Sequence, residues 1–127
     1  MISYSKTIVV LKKRSAFLSV AAHRTKWVTP AFIMQVAPRP MREGEAANLC
    51  GLGLTSSKKM IGNAVARNRA RRRLRPLARE VLTAQGKTGI DYVLIARSDI
   101  LTRDYDALRK DMQWALKRLN MVEEGGK

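Results

Sequence analysis

Cysteine and histidine occur once each, as Cys50 and His23. A structural zinc site takes about four such ligands and an intrachain disulfide takes a second thiol, so both are excluded. Acidic residues are scarce too: 10 Asp+Glu stand against 25 Lys+Arg, for a formal net charge of +15. A folded chain so charged repels itself unless a polyanion neutralises it, which makes nucleic acid the leading class of partner. Long apolar runs are also missing. None approaches the roughly 20 residues that cross a bilayer, and Ile8 to Leu11 is too short for a signal-peptide core. A basic helix lying on a membrane would need a spare apolar face, and the apolar residues here are used up in core elements. The expectation is a cytoplasmic protein with no membrane partner.

The chain has 127 residues, 46% of them hydrophobic, enough for one modest core and one domain over 1–127. Its ordered part is expected over about 8–120, with a frayed tail at 121–127. Phe17, Val20 and Ala21 fall at i, i+3 and i+4, which predicts a helix from Lys12 to His23. Trp27 to Val36 reads as a strand that Pro30 limits to an edge or a bulge, with Phe32 and Met34 on one face. Pro38 to Asn48 reads as a loop, the least ordered interior stretch. Leu49 to Thr55 alternates as a half-buried strand does, and Tyr92 to Ala96 is a compact apolar strand after a turn around Gly86 and Gly89.

The last helix is expected to be capped by Thr102, with Asp104 and Asp106 near its N-terminal dipole and Leu108, Met112, Ala115, Leu116 and Leu119 as its buried stripe. The pattern predicts an α+β fold, a single-domain α-β sandwich with helices packed on a small central sheet. Its order is α-β-β-(β)-α-β-α, and there is room for a further strand near Thr7 to Leu11.

Between Lys58 and Arg79 stand nine basic residues and no acidic one. Gly62 and Asn63 suit a turn and an N-cap, so a helix is expected to start at Asn63. At about 100° per residue, Ala70, Leu74, Leu77, Ala78, Val81 and Leu82 gather on one side, and Asn68, Arg72, Arg75 and Arg79 on another. Arg67 and Arg71 extend the apolar side towards the N-terminus, which suggests an end that overhangs the sheet with arginines nearly all round. Pro76 predicts a kink or a break. An ordinary solvated helix would interleave acids for i,i+4 pairs, and this one has none. Arginine also outnumbers lysine, and its planar fork suits phosphates and exposed bases.

Lys58-Lys59, then Gly62-Asn63-Ala64-Val65, then Arg67-Asn68-Arg69 and Arg71-Arg72 resembles the signature of the protein subunits of bacterial ribonuclease P. The resemblance runs from about Leu11 to Leu119. It implies a left-handed βαβ crossover, which ordinary chain chirality would not predict. It implies further that Arg67, Asn68, Arg69, Arg71, Arg72 and Arg75 contact ribonuclease P RNA, and that Phe17 and Phe32 line a cleft for the 5′ leader of precursor tRNA. Simple core packing is the equal alternative for the two phenylalanines. Lys12, Lys13, Arg14, Arg24, Lys26, Lys58 and Lys59 could add phosphate contacts. The chain departs from the family pattern at Ala21 and Met34, where aromatics often stand.

The implied reaction is hydrolysis of a phosphodiester that releases the leader and the mature tRNA 5′ end. Mg²⁺ would be held by the RNA, with no catalytic residue and no metal site in the protein and no obligate protein partner. The best local carboxylates, Asp104 and Asp106, lie about 200° apart on a helix and suit its N-terminal turn better than paired metal ions. A structural RNA-binding protein of ribosomal type is the alternative that charge and size fit equally well. A DNA-binding protein would need a groove-reading helix and a dimer seam, and no heptads are present.

Overall fold

Residues 7–40 and 49–122 are described by the computed structural model. Five strands, β1 (Thr7–Val10), β2 (Thr25–Val28), β3 (Phe32–Pro38), β4 (Leu49–Thr55) and β5 (Ile90–Ala96), form one sheet in the order β1-β4-β5-β3-β2. β1, β4 and β5 run parallel, whereas β3 is antiparallel to both β5 and β2. The helices are α1 (Arg14–His23), α2 (Lys58–Ile61), α3 (Ala64–Gln85) and α4 (Tyr105–Arg118), with a short 3-10 turn at Ser98–Leu101. The α3 helix is the crossover between the parallel neighbours β4 and β5.

The period of two in each strand separates the faces. From β5, Ile90, Tyr92, Leu94 and Ala96 enter the larger core with Phe32, Met34, Cys50 and Leu52, against Leu74, Leu77 and Leu82 of α3 and Leu108, Met112 and Leu116 of α4. The alternate residues Val93 and Ile95 face the other way and meet Leu11, Phe17, Val20 and Ala37 beneath α1. The sheet therefore lies between α1 on one side and α3 with α4 on the other. Gly51 and Gly53 stand on the α1 face of β4, where Cβ atoms would collide with Asp91 and Leu11 and with Phe17 respectively.

Several expectations need correcting. The single strand from Trp27 to Val36 is two, β2 and β3, folded into a hairpin with Trp27 opposite Met34. Thr29 makes the turn: its hydroxyl donates to the Phe32 carbonyl at 2.8 Å and accepts from the Phe32 amide at 3.1 Å. Pro30 sits within that turn, outside both strands, where its missing N–H leaves no ladder bond unmade. Asp104, not Thr102, caps α4, accepting from the Asp106 amide at 3.1 Å; Thr102 ends the 3-10 turn instead. Pro76 does not break α3, which continues through it to Gln85. Proline removes the bond to the Arg72 carbonyl, but residue 76 lies on the exposed side, where water can satisfy that oxygen.

At the C-terminus, Met121 and Val122 are held and not frayed. The Met121 amide donates to the Leu116 carbonyl at 2.8 Å, and Val122 bridges to Gly86. The rest of that tail and most of the loop expected at Pro38 to Asn48 lie outside the described residues.

Candidate nucleic-acid interface

The arginine-rich segment is positioned by two caps in succession. The Ser57 hydroxyl accepts from the Met60 amide at 3.1 Å and starts α2, and Gly62 then takes a φ of 113°, open to glycine, to turn the chain. The Asn63 side chain accepts from the Ala66 amide at 2.9 Å and starts α3 at the expected residue. The short α2 was not anticipated; it carries Lys58 and Lys59, both exposed.

Arginines do not surround the start of α3 evenly. Arg67 donates to the Gly62 carbonyl at 3.0 Å, and Arg71 donates to the Ser56 hydroxyl at 2.7 Å and to the Asn68 side chain. Both are partly buried: Arg67 ties the helix to the α2–α3 turn, and Arg71 ties it to the β4–α2 connection. Ala70, one turn on, is fully buried, so the overhang is shorter than expected. Arg73 is anchored as well, donating to the Ile100 carbonyl at 2.5 Å.

Arg69, Arg72, Arg75 and Arg79 remain exposed and meet no carboxylate among the described residues. Arg71, Arg75 and Arg79 line a small groove of about 90 Å³ with Val10, Leu11, Leu52 and Leu54. Arg79 adds to the expected contacts, and its place on the helix wheel beside Arg72 and Arg75 is the sequence signal for it.

Most acidic side chains among the described residues are occupied elsewhere. Arg103 holds Asp111 at 2.6 Å, and Arg109 holds Glu80 and Asp106. The hydrogen bond that Arg103 donates to Asp111 raises its guanidinium above the ordinary value, and those that Arg109 donates to Glu80 and Asp106 do the same for it. Asp91 pairs with Arg39 at 2.8 Å beneath Gly51. Among the described residues no carboxylate pairs with the exposed α3 arginines, and the backbone donors of a helix N-terminus stand beside them.

On the opposite side of the sheet, the two phenylalanines part company. Phe17 is half-buried between α1 and the sheet, its ring over Gly53. Phe32 is fully buried in the larger core on the α3 side, so it does not line a cleft with Phe17. The one-residue alternation of β3 makes the difference: Ile33 and Gln35 take the α1 side, and both are partly exposed. Met34 is fully buried with Phe32.

Arg24 closes α1 in the left-handed conformation, at φ 62°, and turns the chain into β2. Arg24, Lys26, Gln35, Val20 and Ala21 then line a groove of about 300 Å³ at the C-terminal end of α1. Lys12 and Lys13 line a second, about 310 Å³, at its N-terminal end with Ser15 and Ser19, and Arg14 opens the helix between them in sequence. The expected phosphate contacts are therefore split between the two ends of α1, with Lys58 and Lys59 apart on α2.

The family model for ribonuclease P matches residues 6–120. The ribonuclease P protein component of Paramagnetospirillum magneticum is 46% identical over 114 residues, covering 90% of this chain and 84% of the relative. That of Ruegeria pomeroyi is 49% identical over 117 residues, covering 91% and 90%. Among solved structures, an RNase P protein of Staphylococcus aureus superposes with a TM-score of 0.66 at 19% identity, covering 90% of this chain and 97% of that one. The protein of Thermotoga maritima gives 0.65 at 23%, covering 85% and 94%. At those identities the structures speak for the fold, an α+β sheet with helices on it. The curated relatives and the matched model speak for descent, and the chain belongs to the ribonuclease P protein family.

Proposed function

We propose that the chain works as the protein component of a ribonuclease P ribonucleoprotein in the cytoplasm, using two surfaces on opposite sides of its sheet. The exposed arginines of α3, with Asn68 and the anchored Arg67 and Arg71 behind them, grip ribonuclease P RNA. The α1 side, with Phe17 over Gly53 and the basic grooves at both ends of the helix, receives the 5′ leader of precursor tRNA. The observation that carries this reading is the exposed arginine face of α3, which pairs with no carboxylate among the described residues, Glu80 beside it being held by Arg109; such a face is stable beside phosphates and self-repelling without them.

The cleavage itself is assigned to the RNA. Asp104 and Asp106 do not fit a magnesium cradle, since one caps α4 and the other pairs with Arg109. The protein's part is to offset phosphate repulsion and to position the leader, so that less Mg²⁺ is needed for screening.

The test is cleavage of precursor tRNA by catalytic RNA with and without the protein over a Mg²⁺ titration. Protein alone should leave the substrate intact, and protein with RNA should cleave at lower Mg²⁺ than RNA alone. Robust cleavage by RNA-free protein, or an unchanged Mg²⁺ requirement, overturns the proposal.

A further inference from the structure

Trp114 is 51% exposed on the outer face of α4, although a tryptophan is among the residues with most to gain from burial. It is not alone. Lys110, Gln113, Trp114 and Lys117 share one stripe of the helix, opposite the buried Leu108, Met112 and Ala115, and with Gln85 and Asn120 they line a groove of about 610 Å³. The Lys117 ammonium lies 5.6 Å from the Trp114 ring centre, and the Arg118 guanidinium 5.9 Å from it. The same guanidinium is 5.2 Å from the ring of Trp27 on β2, which joins helix and sheet edge into one aromatic and cationic surface. The acids of α4 lie in its N-terminal half and are engaged by Arg103 and Arg109, so none dilutes the charge around Trp114 among the described residues.

We infer that this surface is a stacking site for an unpaired segment of RNA, separate from the arginine face and from the α1 side. A base laid on the Trp114 ring gains a sequence-tolerant stack, Lys110 and Lys117 flank it where phosphates would run, and the amides of Gln85, Gln113 and Asn120 can meet a base edge. A protein partner fits less well, because interface cores are depleted in lysine and here Lys110 and Lys117 rim Trp114, with Val122 as the other apolar residue of the lining. A duplex fits less well too, because its bases offer no free face to a protruding indole. The site lies 16 residues along α3 from Arg69 to Gln85, about 24 Å at 1.5 Å per residue, so one RNA could be held at both ends of the α3/α4 layer. The inference rests on the reading of the chain as an RNA-binding protein, but its test does not use the α3 arginines.

The experiment titrates full-length protein with labelled single-stranded decaadenylate and decauridylate. In the Trp27→Phe variant, Trp114 is the one tryptophan left, and its fluorescence should be quenched saturably by either oligonucleotide. Trp114→Ala should weaken oligonucleotide binding at least about fivefold, the fold-change of one lost stack, while Trp114→Phe keeps most of it. Lys110→Ala and Lys117→Ala should each flatten the dependence of log K on log salt by about 0.7. If Trp114→Ala lowers the melting temperature, the quenching in the Trp27→Phe protein decides: no quenching overturns the inference. Unchanged oligonucleotide affinity in folded Trp114→Ala also overturns it. So does self-association that Trp114→Ala abolishes with oligonucleotide binding intact, which would give the surface to a second copy of the chain. Arg69→Ala and Arg72→Ala, assayed with catalytic RNA, report on the α3 reading separately.

Discussion

The ring of Phe17 occupies the space that a side chain at position 53 would need: a Cβ on Gly53 would lie 2.5 Å from Cε1 and 2.7 Å from Cζ of Phe17. Glycine in β4 is thus what lets α1 settle onto the sheet with its aromatic half-buried. Gly53→Ala should push the ring outward and destabilise the fold by about 1–3 kcal/mol, as overpacking does. It should also reduce affinity for precursor tRNA more than for mature tRNA. Thermal unfolding and paired binding titrations check both effects, and equal loss for the two RNAs in a folded variant would place the leader elsewhere.

Phe17→Ala and Phe32→Ala should behave differently, because one ring is half-buried under α1 and the other is fully enclosed on the far side of the sheet. Phe32→Ala is expected to lower stability by about 3–5 kcal/mol with no preference between tRNA forms. Phe17→Ala should weaken leader binding by about 1–3 kcal/mol, with the missing aromatic at Ala21 favouring the lower end. Melting curves beside leader-length series distinguish the two; a selective leader defect in Phe32→Ala would refute this division.

Among the arginines of α3, exposure predicts role. Arg69→Ala, Arg72→Ala or Arg79→Ala should weaken assembly with catalytic RNA by about 1–3 kcal/mol and leave the melting temperature nearly unchanged, since each residue is exposed and forms no ion pair among the described residues. Arg73→Ala should do the reverse. It loses a charged hydrogen bond to the carbonyl of the buried Ile100, for about 1–3 kcal/mol of stability, with RNA affinity nearly intact once folded. Filter binding at moderate salt and calorimetry read the two columns of effect independently.

Arg39→Met should be the most damaging single change near α1. The Arg39 and Asp91 side chains are only 11% and 7% exposed, and the carboxylate lies directly under Gly51. Removing the cation strands a buried charge, for a loss of about 3–5 kcal/mol. Chemical denaturation would measure it; a loss below 1 kcal/mol would mean that other donors take over the carboxylate.

The α4 stripe was readable from sequence because Leu108, Met112, Ala115 and Leu116 recur at helical spacing and nothing competes with that period. The start of α3 was readable for a similar reason, since Asn63 accepts from an amide three residues away and needs no tertiary partner. The hairpin of β2 and β3 was not, because Thr29 stops the strand through a hydroxyl that bridges its own turn, and threonine by type favours continuing a strand. Phe32 misled for another local reason: alternation shows which residues share a face and leaves open which layer that face meets.

Charge, the acid-free run from Lys58 to Arg79 and its family signature are properties of the chain order, and they were sufficient for an RNA partner and for the ribonuclease P family. The division of labour among the arginines was decided by the tertiary structure alone. Arg67, Arg71 and Arg73 find acceptors in Gly62, Ser56 and Ile100, up to 27 residues away, whereas Arg69, Arg72, Arg75 and Arg79 stay exposed. Helical period assigns each residue an angle, but an arginine becomes structural or free only when packing brings an oxygen within reach of that angle.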